Sequence, residues 1–269
     1  MNVRYMFKIS ILVGLMVLVG VRSWSDTPTN RQKHLDDTLI KAVKAEDKRA
    51  IFAALKSGAN PNARGFSRNK YSAGKSTPLL IYLDHDSEDD LTIVKALLKA
   101  GADPNLTDGA GMTSPLMIAI EWNHPKTVRF LLQHGSNPRY KDRLRGTALH
   151  MTAGALDTQS LSLLLNAGAD INAQDDSGRT PLYRASEIGN LEPVQVLLKH
   201  HADPNLRDKE GKTALDAIEG KPLEGQAALD AINGKQVLSA WIAKNQTQII
   251  NLLRKAGAKT GQEIDAKRK

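Results

Sequence analysis

Seven histidines, one Gly-Lys-Ser-Thr run and two clusters of Arg and Lys are the side chains in this chain with chemistry to offer. A metal centre would need an imidazole beside a carboxylate or a second imidazole on a shared face. None of His34, His85, His124, His134, His150, His200 and His201 has a carboxylate at such spacing. The adjacent pair His200-His201 falls where a helix should be ending, and a helix C-terminus favours cationic imidazole without any metal. Gly74-Lys75-Ser76-Thr77 looks like the end of a phosphate-binding loop, but the first glycine of that motif would be residue 69, which is Asn69. It reads instead as the end of a hairpin and the start of a helix. The chain has no Cys and no Gly-x-Ser-x-Gly elbow, which removes thiolate nucleophiles, thiolate zinc sites, disulfides and the commonest serine-hydrolase signature. The expectation is a non-enzyme with no cofactor, no metal and no small-molecule substrate.

Binding chemistry is more promising. Arg139, Lys141, Arg143 and Arg145 crowd one short polar stretch, Arg207, Lys209 and Lys212 crowd another, and Arg179 lies between them. Such a strip would steer an acidic protein surface by long-range attraction. The alternative is a solvated face with no partner. A third basic stretch, Arg64, Phe66, Arg68, Lys70 and Tyr71, interleaves two aromatics with its charges, and reads either as a binding loop or as a solvated one.

The elements that carry these residues recur. Thr77-Pro78-Leu79, Ser114-Pro115-Leu116, Thr147-Ala148-Leu149, Thr180-Pro181-Leu182 and Thr213-Ala214-Leu215 are copies of one phrase, and the last four start 33 residues apart. In step with them run Gly58-Ala59-Asn60-Pro61-Asn62, Gly101-Ala102-Asp103-Pro104-Asn105, Gly135-Ser136-Asn137-Pro138, Gly168-Ala169-Asp170-Ile171-Asn172 and His201-Ala202-Asp203-Pro204-Asn205. Thr or Ser supplies an N-cap hydroxyl, and Pro presets the first helical φ. Leu182, Ala185, Ile188, Val194, Leu197 and Leu198 follow at helical spacing, broken by a turn at Gly189-Asn190. The Gly-Ala-Asp-Pro-Asn phrase then closes the second helix, because Gly accepts the left-handed cap and Pro cannot continue the helix. Residues 173–179 are too short and polar for anything but a hairpin. The unit is hairpin, helix, turn, helix.

That order, with Asp175, Gly178, Thr180-Pro181-Leu182, Ala185, Gly189, Val194, Leu197-Leu198 and Asp203-Pro204-Asn205, resembles the ankyrin repeat over residues 34 to 259. The resemblance implies an all-α fold with β-hairpin turns, a solenoid of about six helix-turn-helix repeats whose concave face binds protein. A thin solenoid core suits a chain that is 41% hydrophobic but only 4% aromatic. It also implies that His150, in the Thr-x-Leu-His position, hydrogen-bonds a neighbouring loop. One inner-helix position is commonly exposed on the concave face in this family, here Ile81, Ile118, Met151, Arg184 and Ala217. Either these form an apolar contact stripe or neighbouring repeats half-cover them. The candidate partner-binding residues are therefore Tyr71, Ile118, Tyr140, Arg143, Arg145, Met151, Arg179, Arg184 and Lys212.

The expected repeats are 36–62, 63–105, 106–139, 140–172, 173–205 and 206–259. The first reads as a polar-faced cap. The second is ten residues over the period, seven of them in its hairpin and three in its helix turn. The last carries an insertion at 219–241, in which Ala214–Lys221 is nearly repeated as Ala228–Lys235 and Trp241 and Ile242 are apolar anchors. Residues 260–269 should be a disordered basic tail and 26–35 a linker. Arg4 and Lys8 precede an apolar run from Ile9 to Val21 and small residues at Ser23 and Ser25, the pattern of a secretory signal peptide over 1–25. Thirteen residues, Ser10 among them, fall short of the about 20 that a spanning helix needs. Cleavage would remove Arg4, Lys8 and Arg22 and lower the net charge from +8 to +5. The expected protein is a monomeric, exported, periplasmic binding module of bacterial origin, with no nucleic-acid partner. It protects or neutralises one protein partner. A secreted effector aimed at a eukaryotic host protein, and a scaffold held in the inner membrane by an uncleaved N-terminus, are the alternatives.

Overall fold

A computed structural model describes residues 28–66, 75–85, 89–154, 158–219 and 236–267. Helices come in pairs. The inner helices are α1 (Pro28–Lys44), α3 (Pro78–Leu83), α5 (Pro115–Glu121), α7 (Ala148–Met151), α9 (Pro181–Ile188) and α11 (Ala214–Glu219). The outer helices are α2 (Lys48–Lys56), α4 (Leu91–Lys99), α6 (Pro125–Gln133), α8 (Thr158–Asn166), α10 (Leu191–Lys199) and α12 (Gln236–Lys255). Each inner helix contacts the next inner helix and each outer helix the next outer one, which makes a two-layer solenoid. Strands β1 (Gly65–Phe66) and β2 (Lys75–Ser76) pair antiparallel at the base of the extended first hairpin.

The caps form where the phrase predicts them. Thr77, Ser114 and Thr180 hydroxyls accept from Leu80, Met117 and Tyr183 N–H, each with Pro in the first turn. Lys75-Ser76 is a strand and Thr77 a helix cap, as the Gly-Lys-Ser-Thr reading expects. The leucine of each phrase, Leu79, Leu116, Leu149, Leu182 and Leu215, is buried, as are Val94, Leu97, Val128, Leu131, Leu161, Leu164, Val194, Leu197, Ile249 and Leu253 on the outer helices. Two apolar stripes facing each other are the core. The lengthened second helix turn also has a use. Asp89 caps the outer helix of the next repeat, accepting from Lys126 N (2.8 Å), Thr127 N (3.0 Å) and Thr127 Oγ1 (2.7 Å), where His124 makes no cap of its own.

A ladder of side-chain amides holds the repeats together. Asn62 donates Nδ2 to Gly101 O and accepts Asp103 N at Oδ1. Asn105 does the same for Gly135 O and Asn137 N, and Asn172 Oδ1 accepts Asp203 N. Where Arg139 replaces the asparagine, its Nε reaches Gly168 O at 2.6 Å. At the last rung Asn205 bonds Gly257 O and Lys259 N, 52 and 54 residues on in sequence. Gly257 therefore ends the sixth repeat, and the insertion is spliced between α11 and the closing half of α12. Trp241 and Ile242 lie where side chains are outside the described residues, as does most of the insertion.

Two terminal expectations are corrected. The stretch 26–35 is helical from Pro28, because Gln32 Nε2 reaches Gly58 O (3.0 Å) and Asp36 accepts Asn60 N (2.8 Å), standing in for the missing previous asparagine. Residues 260–267 are not a disordered tail, since α13 (Gly261–Ala266) folds on a capping box between Thr260 and Glu263. It docks on the last repeat through Gly261 N to Asp216 (2.7 Å) and paired bonds from Arg207 to Asp265 (2.7 and 3.1 Å). Arg254 adds ion pairs to Glu263 and Glu219. The charged sequence reads as tail in isolation, but every acid in it finds an arginine of the sixth repeat.

Candidate functional site

The four described hairpin tips, the second to the fifth, are built on one plan. In each, an Asp carboxylate turns the chain by accepting backbone N–H groups ahead of it. Asp108 serves Met112 and Thr113, Asp142 serves Leu144 and Gly146, Asp175 serves Ser177 and Arg179, and Asp208 serves Glu210 and Lys212. The residue at the top has positive φ: Gly111, Gly178 and Gly211, but Arg145 (56°) in the third tip. A side chain at such φ is strained. Successive tips are joined edge to edge by Asp176 N to Leu144 O (2.8 Å) and Lys209 N to Ser177 O (2.9 Å).

From Asp175 onward the candidate charges are engaged. Arg184 pairs with Asp175 at 2.8 Å and with Glu187 at 4.0 Å. Burial pushes the Asp175 carboxyl up, yet the Arg184 guanidinium and the Arg179 and Ser177 N–H groups outweigh it and hold it below its ordinary value. Arg179 is half-buried, 3.5 Å from Glu187 and stacked 5.4 Å from the Tyr183 ring centre. Burial, with the Asp208 carboxylate behind it, holds the Tyr183 hydroxyl above its ordinary value. Lys212 pairs with Glu210 at 2.8 Å on the surface. The expected continuous basic strip is therefore neutralised over its second half. Among the described residues, Arg139, Lys141, Arg143 and Lys209 are the strip's cations without an ion pair, Arg139 being held by the Gly168 carbonyl, and Arg145 has only a 3.9 Å contact with Asp176.

Ile118 is corrected more sharply. It is 2% exposed, and Ile81 and Ala217 at the same register are buried too, so no apolar stripe lines the concave face there. Equivalent positions on adjacent packed inner helices cover one another, and these side chains join the core. Met151 is half-buried against that core. Tyr140 is half-buried as well, its hydroxyl donating to Gly111 O at 2.9 Å, and burial holds its proton more tightly than usual. Tyr71 lies outside the described residues.

His150 takes the loop-bonding place. Nδ1 accepts from Thr147 N (3.2 Å) and Nε2 faces Arg179 O (2.9 Å), which fixes the neutral ring with its proton on Nε2. Burial lowers its pKa, against a smaller opposite pull from the Arg179 carbonyl. His201 sits at φ 64°, where the other repeats end their outer helix with Gly. Among the described residues no three His, Asp or Glu side chains are grouped to hold a metal, and none of the helices there is long and apolar enough to cross a membrane.

The large apolar side chains left facing water lie outside the candidate set, Phe52 and Ile188 on helices and three others on hairpins. Phe66 (68% exposed), Met112 (37%) and Leu144 (61%) stand on the first, second and third hairpins. The available signal was an apolar residue at a tip where the next two repeats carry Ser177 and Glu210.

Comparisons with known proteins agree with this plan. The description "Ankyrin repeats (3 copies)" matches residues 39–142 and 79–175, and "Ankyrin repeats (many copies)" matches 164–217. A glycerophosphocholine phosphodiesterase, gde1, of Schizosaccharomyces pombe is 30% identical over 149 residues, 54% of this chain and 12% of its own length. The E3 ubiquitin-protein ligase KEG of Arabidopsis thaliana is 36% identical over 95 residues, 35% of this chain and 6% of that protein. The nuclear factor NF-kappa-B p105 subunit of Gallus gallus is 40% identical over 92 residues, 33% of this chain and 9% of that protein. The chain thus spans a small part of each relative.

Proposed function

Because the chain belongs to the ankyrin repeat family, whose repeats are protein-protein interaction modules, we propose that it is a non-enzymatic module that binds one protein through its second and third hairpin tips and Phe66 of the first hairpin. One observation carries this reading. The third tip holds Leu144 out in water between Arg143 and Arg145, and Arg145 occupies a left-handed position that glycine fills in the other described tips. Strain kept at an exposed position is the mark of a contact site. A partner surface with acidic groups around an apolar one would complement it. Preorganised, stapled repeats lose little entropy on docking, which suits recognition.

Arg4, Lys8 and the apolar run Ile9–Val21 support export to the bacterial periplasm, where the module would protect an envelope enzyme or neutralise a toxin. The chain from a periplasmic fraction then begins near Asp26. An intact N-terminus supports the membrane-held scaffold, and recovery from the medium supports a secreted effector acting on a host protein.

The test is affinity capture with the tagged chain beside a triple variant, Arg143→Glu, Leu144→Ser and Arg145→Glu, with thermal melting of both. A stoichiometric partner held by the first and lost by the second, at equal melting temperature, is the expected result. A partner held equally by both rejects this face.

A further inference from the structure

Arg207 is neutralised by a different route from the other arginines of the strip. Arg179 and Arg184 are paired with Asp175 and Glu187 of their own repeat. The carboxylate on Arg207 belongs to Asp265, 58 residues away on α13 and 56% exposed, and it meets Nη1 and Nη2 together at 2.7 and 3.1 Å. Little besides charge holds that helix down. It has six residues, its one large apolar side chain, Ile264, is only half-buried, and an open cavity of about 550 Å³ is lined by both α13 and the fifth tip. Glu263 is held on Arg254 Nη1 at 2.9 and 2.7 Å, again near the surface. Exposed ion pairs of this kind contribute little and weaken with salt. Release of the helix strands nothing. Arg207 keeps Gly211 O on its Nε, Arg254 keeps Glu219, and Asp216, which accepts Gly261 N, keeps Thr213 N and Oγ1. With no buried charge left unpaired, opening is cheap.

We propose that α13 is an autoinhibitory latch, in which Asp265 holds Arg207 in the place of a carboxylate from an acidic segment of the partner protein. The inference rests on the reading that the chain is a protein-binding module. The occupant is chosen by the contact itself, since a carboxylate already sits on the guanidinium in two-pronged geometry. Release returns Arg207 to the strip. With Arg145 and Lys209 it lines an open cavity of about 420 Å³ along the fourth tip, where Asp175 and Asp208 are buried and Asp176 is the exposed acid. The second half of the strip, neutral while the latch is closed, then extends the cationic surface that begins at Arg143 and Arg145. A partner that brings its own carboxylate to Arg207 displaces the helix, and the two compete for one site.

The test reads opening and binding on the full chain, with labelled acetyl-Asp-Glu-Phe-Glu-Asp-amide as the probe in fluorescence polarisation. The opened form carries Glu263→Gln and Asp265→Asn. A second chain with Glu121→Gln and Glu192→Gln, exposed acids on other helices, matches its charge, and melting checks that each variant folds. Amide hydrogen exchange at residues 260–266 should speed up in the opened form alone, and that form should bind the peptide about fivefold more tightly than the unaltered or the charge-matched chain. Adding Arg207→Ala to the opened form should abolish the gain. Equal binding by the opened and charge-matched chains, a gain that survives Arg207→Ala, or exchange at 260–266 that the double variant leaves unchanged overturns the latch. A latch that fails while the chain still captures a partner through the third tip leaves the broader reading intact. Loss of both rejects the two together.

Discussion

The third and fourth hairpins occupy equivalent places and spend their side chains differently. Slot by slot, Asp142-Arg143-Leu144-Arg145-Gly146 faces Asp175-Asp176-Ser177-Gly178-Arg179. The fourth closes on itself: Gly178 takes the left-handed turn, Arg179 folds back on Tyr183 and Glu187, and Asp175 is buried under Arg184. The third leaves its apolar and basic groups in water and accepts a strained Arg145. The same backbone can therefore serve stability or recognition, and the choice lies in whether the tip side chains find partners within their own repeat.

Breaking the closed tip should cost most. Asp175→Ala leaves the part-buried Ser177 and Arg179 N–H groups and the Arg184 guanidinium without their buried carboxylate, a loss of about 2–3 kcal/mol by denaturant unfolding, whereas Asp142→Ala, which removes no ion pair, should cost about 1 kcal/mol. Arg179→Glu places a second carboxylate by Glu187 and removes the stack on Tyr183, for about 1–2 kcal/mol. The joint between the two tips should respond to pH. His150 has a pKa below its usual value when folded, so the unfolded chain binds the extra proton more readily. The stability it contributes is present above about pH 6.5 and falls as the pH drops below that value. A His150→Gln chain should lack this part of the slope in melts between pH 7 and 5. The smallest effect is at the strained position. Arg145→Gly should raise stability by a few tenths of a kcal/mol, relief of the left-handed strain being partly offset by added freedom in the unfolded chain. Partner retention should weaken at the same time.

The fold was legible because its signals are local. Thr180-Pro181-Leu182 carries its own cap, its own φ and its own buried leucine, and repetition in phase makes each copy support the others. The site was legible only in part, since exposure depends on residues distant in sequence. Ile118 has an apolar side chain at a register that could face either way, and only the packing of adjacent inner helices settles it. Arg184 and Arg179 look free until Asp175 and Glu187 are placed beside them. The terminal helix left a signal that composition obscured, because Thr260-Gly261-Gln262-Glu263 is a capping box within a charged stretch. The closing asparagines of the turn phrases are visible in sequence, but their role is not, as both bonds of Asn62 and of Asn105 reach into the next repeat.

The most direct measurement exchanges one tip for the other: residues 143–146, Arg-Leu-Arg-Gly, replaced by the Asp-Ser-Gly-Arg of the fourth hairpin, with partner retention read at matched concentration and melting as the control for folding. Retention should be lost while the melting temperature holds or rises. Full retention, with a lowered melting temperature, would mean that the third tip serves the fold and that the partner is bound elsewhere.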